Sequence, residues 1–137
     1  MTHGTRIPFL ACAACLAAVL LAPLPGRAQL KIVATTSEYG ALAAEIGGAR
    51  VSVTTIAKPT EDPHFVDARP SQVVAMHRAD VLIEGGAELE IGWLTPLLDG
   101  ARNPRILAGA PGRVVASQGV QLLDIPPSAD RSQGDAH

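Results

Sequence analysis

Two runs of β-branched residues, separated by a single capped segment with helical spacing, constrain this chain more than any other feature. Lys31 to Thr35 (KIVAT) has the composition of a short buried strand. It leads into Thr36 and Ser37, both suited to capping a helix; Glu38, Tyr39, Leu42 and Ile46 follow at helical spacing, and Gly47 and Gly48 supply a stop. Val51 to Ile56 (VSVTTI) meets the same test as a second strand. Two strands joined by a helix form a parallel pair with a right-handed crossover.

The alternation continues. Pro70 suits the first turn of a helix through Val73, Val74 and His77, and Val81 to Ile83, closed by Glu84, Gly85 and Gly86, suggests a third strand. Glu88 to Leu98 is expected to be helical around Leu89, Trp93 and Leu97, with Pro96 bending or delaying it, and Arg105 to Leu107 suggests a fourth strand. Beyond Ala108, repeated glycines and prolines break any long element. The expected fold class is α/β, a mostly parallel sheet flanked by helices. Ligands of such sheets gather outside the carboxyl ends of the strands.

The first residues are not expected to join that fold. Arg6 precedes an apolar run from Ile7 to Leu21, and Pro23, Pro25 and Gly26 lead to Arg27 and Ala28. This is the layout of a signal peptide, with cleavage expected after Ala28. The run is shorter than the roughly 20 residues that span a bilayer, so no membrane insertion is expected once it is removed. Both cysteines, Cys12 and Cys15, lie inside it, which leaves the mature chain without a disulfide. Cys15 sits too early in the segment for lipid attachment, which is not expected.

Three segments follow: a leader over residues 1–28, an α/β lobe over 29–127 and a polar tail over 128–137. The whole chain carries 11 basic against 13 acidic side chains, and two of the arginines lie in the leader, so the mature portion is acidic. With no basic patch and only 3% aromatic residues, a nucleic-acid partner is not expected.

The candidate chemistry sits in the run from Glu61 to Ser71 (EDPHFVDARPS), which follows the second expected strand and so leaves the carboxyl edge. It offers one imidazole, His64, on a loop stiffened by Pro63 and Pro70, with Asp62 and Asp67 available to hold the other ring nitrogen or to attract cations. Neutral imidazole is a common ligand of divalent metals. Taken alone, a single loop histidine is more often a surface residue. His77 beside Arg78 is expected to be solvated, and no role is assigned to His137. Glu84, Glu88 and Glu90 are expected to serve as caps or a solvated face rather than an acidic rim. Trp93 is expected to be a core or lobe-edge aromatic.

Asp62, Pro63 and His64, then FVDAR, then Pro70 and Ser71, together with Ala79 to Gly86 and Glu88 to Leu94, give the mature segment a resemblance. It resembles the N-terminal lobe of the periplasmic zinc- and manganese-binding proteins that feed ABC-type metal importers. The resemblance implies that His64 is the first metal ligand, that Zn²⁺ or Mn²⁺ is the transported ligand, and that a membrane permease is the partner. Two positions depart from the family pattern: Thr60 and Glu61 stand where a glycine is frequent, and Gln72 where an acid is frequent. Family members are longer, with a second α/β lobe joined by a long helix, and their second histidine lies in a motif like Asn-Pro-His. That motif follows a segment resembling Ala129 to His137, so the chain is expected to be a fragment or a truncated product that retains one ligand. Structural Zn²⁺ sites are worth about 10–16 kcal/mol with some four donors, so one imidazole is expected to bind weakly. Zinc-specific relatives often carry a His-rich loop near Ser128 to His137; none is present up to the end, and both metals stay open.

Two further readings compete. A secreted metal-dependent hydrolase needs additional converging ligands, such as a His-x-x-x-His pair, and the sequence offers none; it also lacks Gly-x-Ser-x-Gly and Gly-x-Gly-x-x-Gly motifs. A non-functional remnant is the other. The leading expectation is a binding protein that does no bond chemistry.

Overall fold

In a computed structural model of the chain, residues 28–122 are described. The expected leader, apart from Ala28, and the polar tail lie outside them. Four strands and three helices alternate: β1 (Leu30–Ala34), α1 (Ser37–Gly47), β2 (Val51–Thr55), α2 (Pro70–His77), β3 (Val81–Glu84), α3 (Leu94–Ala101) and β4 (Arg113–Val115), with short 3-10 turns at Gly48–Arg50 and Pro104–Ile106. The strands form one sheet in the order β2-β1-β3-β4, and every pairing is parallel, as the βα alternation requires. Among the described residues, no helix is long and apolar enough to cross a membrane.

Side chains alternate across each strand, so the two faces of the sheet bury different partners. Ile32 and Ala34 pair with Val53 and Thr55, and Gly40 of α1 lies directly against those two β2 residues. A Cβ at Gly40 would stand 2.5 Å from the Thr55 hydroxyl oxygen, so α1 approaches this closely because residue 40 has no side chain. On the opposite face, Val33 and Leu82 pack with Met76, Leu97, Ala101 and Ile106 from the α2 and α3 side. That core also takes in Val66 from the loop after β2 and Trp93 from the turn before α3, so the loop is joined to the lobe.

Two expectations are corrected. Arg105 to Leu107 is not a strand, because Pro104–Ile106 forms a 3-10 turn and the fourth strand is Arg113–Val115. Asn103 decides the matter: its side-chain oxygen accepts from the Arg105 N–H at 3.1 Å, while its amide nitrogen donates to the Met76 and Ala79 carbonyls at 2.8 Å. The turn is thereby bolted to the end of α2, and Ile106 is driven into the core. The helix expected from Glu88 begins instead at Leu94, after a stretch of turns in which Ala87 and Glu88 both adopt positive φ. Pro96 therefore falls in the first turn of α3, where its missing N–H costs no hydrogen bond.

Candidate metal site

The loop between β2 and α2 leaves the carboxyl edge of the sheet, and its backbone is held by its own side chains. Glu61 and Lys58 close a first turn reciprocally: the Glu61 N–H donates to the Lys58 carbonyl at 3.0 Å, and the Glu61 carboxylate accepts from the Lys58 N–H at 3.1 Å. A second turn spans Asp62 to Phe65, with the Phe65 N–H donating to the Asp62 carbonyl at 3.0 Å. Pro63 occupies the second position of that turn, where its fixed φ is suited, and Asp62 the first, where a short acceptor side chain can reach forward. That carboxylate does so, accepting from the His64 N–H at 2.9 Å.

The same Asp62 oxygen lies 2.9 Å from Nδ1 of His64. An ionised carboxylate only accepts, so Nδ1 carries the proton and Nε2 is the basic nitrogen. The Nε2 atom is shielded from solvent although the side chain as a whole is 20% exposed. Asp62 is held below the usual carboxylate range, first by the His64 backbone N–H, then by the His64 ring bond and charge. Of the two acids expected to hold the ring, Asp62 takes the role. Asp67 is exposed and, with His64, Phe65, Val66, Gly92 and Trp93, lines a shallow depression of about 210 Å³.

Trp93 is 4% exposed, and its Nε1–H donates to the Pro63 carbonyl at 2.8 Å, so this core aromatic also reaches the loop. Glu84 and Glu90 correct their expectation, since both are buried rather than solvated. Glu90 accepts from the Thr35 hydroxyl at 2.6 Å and from the Gly85 and Gly86 N–H groups at 2.7 and 3.1 Å. Glu84 pairs with Arg113 of β4, and Glu88 is exposed. His77 is exposed as expected, with Nδ1 2.8 Å from the Ala101 carbonyl. Among the described residues, no three His, Cys, Asp or Glu side chains gather closely enough to hold a metal ion.

The family model described as "ZnuA: Zinc-uptake complex component A periplasmic" matches residues 32–137. The chain belongs to this family. Among its relatives, the metal ABC transporter substrate-binding lipoprotein ScbA of Streptococcus cristatus is 25% identical over 115 residues, covering 82% of this chain and 36% of that protein. The manganese-binding lipoprotein MntA of Bacillus subtilis is 39% identical over 62 residues, 45% of this chain and 20% of MntA. A zinc-bound ZnuA deletion mutant superposes with a TM-score of 0.58 at 24% identity, over 72% of this chain and 35% of that one. A Mn-bound periplasmic metal binding protein from Candidatus Liberibacter asiaticus gives 0.56 at 16% identity, with 72% and 35% covered. These likenesses establish the fold. The resemblance drawn from the Asp-Pro-His loop and the α/β expectation are thus both borne out, and the chain spans about a third of the length of ScbA and of both solved proteins. ScbA and MntA are named lipoproteins, and Cys15, the residue weighed above for lipid attachment, lies outside the described residues.

Proposed function

We propose that this chain is a lobe of a periplasmic solute-binding protein that captures Zn²⁺ or Mn²⁺ and passes it to the membrane permease of an ABC importer, with His64 as a metal ligand. The observation that carries the reading is the Asp62–His64 pair: a carboxylate holds Nδ1–H and leaves Nε2 as the donor, the arrangement that fixes tautomer and basicity in metal-binding histidines. Its place at the carboxyl edge, in a member of the zinc-uptake family, supports it. The leader-like residues 1–28 and the word periplasmic in the family description support the location.

The metal is cargo, and the protein binds and releases it without making or breaking covalent bonds. One imidazole contributes a minor part of the free energy of a four-donor site, so the affinity of this chain alone is weak. Calorimetric titration of the chain with Zn²⁺ and with Mn²⁺ tests the reading, alongside the His64→Ala variant. Saturable binding that disappears in the variant supports it; equal binding by both forms refutes the ligand assignment.

A further inference from the structure

The loop that carries His64 is exposed on both sides of it, with Asp62, Phe65, Asp67, Ala68 and Arg69 all facing solvent, yet the peptide that joins Pro63 to His64 is held at both ends. Its carbonyl accepts from the Trp93 indole N–H at 2.8 Å, and its N–H donates to the Asp62 carboxylate at 2.9 Å. A peptide group is planar, so two hydrogen bonds on opposite sides fix its orientation. Fixing that plane places the His64 Cα and its N–Cα bond, and the Asp62 contact to Nδ1 then restrains the ring. The Asp62 bonds are local, made within the same turn. The Trp93 bond spans 30 residues and ties the histidine's own peptide to the turn before α3.

Trp93 is itself tightly placed. Its backbone N–H and that of Leu94 both donate to the Glu90 carbonyl, at 3.2 and 3.0 Å, and the Glu90 side chain is bonded to Thr35 at the end of β1 and to Gly85 and Gly86 at the end of β3. The path from the strand ends to the histidine therefore runs through Glu90, Trp93 and Pro63 as consecutive hydrogen-bonded groups. A buried indole N–H needs some acceptor, and many would serve. Here it takes the carbonyl immediately before the imidazole, on a loop whose Val66 is also packed in the core.

We infer that Trp93 is a positioning residue for His64: its indole N–H holds the Pro63–His64 peptide, and so the backbone that carries the imidazole, in one place relative to the lobe for metal ligation. The inference rests on the reading of His64 as a metal ligand. Metal sites require donors held within roughly 0.5 Å and 10–20° of their working geometry by the surrounding shell. Loss of such a partner typically lowers metal affinity about 10–100-fold; for a bond made to the backbone before the ligand, about three- to tenfold is expected.

The chain has a single tryptophan, so a tryptophan analogue incorporated through an auxotroph replaces Trp93 alone. Benzothienylalanine keeps the bicyclic shape and exchanges the N–H for sulfur. The experiment titrates the full chain with Zn²⁺ and follows the His64 imidazole resonances by NMR, in the parent, the analogue-substituted chain, Trp93→Phe and His64→Ala. Expected is a Kd raised about three- to tenfold by the analogue and by Trp93→Phe, at a temperature where all forms are folded, with the zinc-induced shift at His64 reduced or split. A Kd unchanged by the analogue, while His64→Ala abolishes binding, overturns the positioning role and leaves the ligand reading intact. Binding unaltered by His64→Ala removes the ligand reading and the positioning role with it. If Trp93→Phe fails to fold, the analogue, which preserves packing, decides.

Discussion

Thr35 and Glu90, 55 residues apart in the chain, are joined by a 2.6 Å hydrogen bond from the threonine hydroxyl to the buried carboxylate. The same carboxylate takes the Gly85 and Gly86 amides, so one side chain gathers the carboxyl ends of β1 and β3. Replacing Glu90 by alanine strands three donors at once, the buried Thr35 hydroxyl and Gly85 N–H and the partly buried Gly86 N–H. Each unsatisfied group costs about 1–3 kcal/mol, and partial relaxation lowers the sum, so Glu90→Ala is expected to lose about 3 kcal/mol. Glu90→Gln keeps an acceptor oxygen but turns an amide toward a backbone N–H, and should lose about 1–2 kcal/mol. Urea denaturation at constant m-value measures both, and a loss below about 0.5 kcal/mol for the alanine variant would show the network to be dispensable.

Arg113 and Glu84 form a two-pronged pair between β4 and β3, with Nε–Oε1 at 2.8 Å and Nη2–Oε2 at 2.6 Å, and both side chains are nearly buried. The remaining Arg113 nitrogen donates to the Ile106 carbonyl at 3.1 Å, which ties the 3-10 turn to the strand after it. Arg113→Met leaves a carboxylate buried without its partner and is expected to cost about 3–5 kcal/mol. The double variant Glu84→Leu, Arg113→Met removes the stranded charge and should recover to within about 1–2 kcal/mol of the parent. A double-mutant cycle read by thermal or urea unfolding gives the coupling, and strictly additive losses would contradict it.

The order of elements was legible because each early strand is dense in β-branched residues and the first two helices begin close to where local residues suggest, whereas the third begins at Leu94 rather than Glu88. Pro70 at the first position of α2 and Gly48 just past the end of α1 act within a turn of their own position, so one sequence suffices to see them; Thr36 and Ser37 stand at the start of α1 without the expected side-chain cap bond. Arg113–Val115 was missed because three residues between glycines and polar side chains carry too little pattern, whereas Arg105 to Leu107 carries an apolar run whose fate is settled by Asn103 reaching across to α2. The His64 turn was legible for the same local reason, with Asp62, Pro63 and the histidine in consecutive positions. Glu90 and Trp93 were not, since what defines them is an acceptor or donor 30 to 55 residues away. Charge alone suggested that Glu84 and Glu90 face water; their burial depends on partners that only the assembled sheet supplies.

Gly112 lies where the backbone of the 3-10 turn crosses the start of β3, and a methyl group there would meet the carbonyl oxygens of Asp80 and Arg105. Both are main-chain atoms, and Asp80 is further fixed by exchanging hydrogen bonds with Lys31, so neither can swing aside. Its carbonyl also accepts from the Leu82 N–H at 2.8 Å, and a shift at Gly112 would loosen the β3–β4 edge. Gly112→Ala is expected to destabilise by about 2–3 kcal/mol, near the upper end for overpacking. Gly109→Ala meets no neighbouring atoms and carries only the strain of its φ of +80°, so it should cost less. Equal stabilities for the two variants would contradict the crowding at Gly112.

Asp62 gives the site a pH signature whose sign follows from its partners. The His64 backbone N–H, the His64 ring and its charge all favour the ionised carboxylate, so its native pKa is lowered. A lowered native pKa means that this carboxylate contributes stability in full above its unfolded value of about 3.9, and that the contribution is lost as pH falls through the lower native value. The hold on Nδ1–H therefore persists across neutral and mildly acid pH. In ¹³C NMR, the Asp62 carboxyl should titrate below about 3.9. His64→Ala removes the ring and its charge but keeps the backbone N–H, the largest cause, so the midpoint should rise only part of the way. A complete return to the ordinary carboxylate value in that variant would mean that the ring, not the turn, sets Asp62, and that the turn does not hold the carboxylate ready for the imidazole.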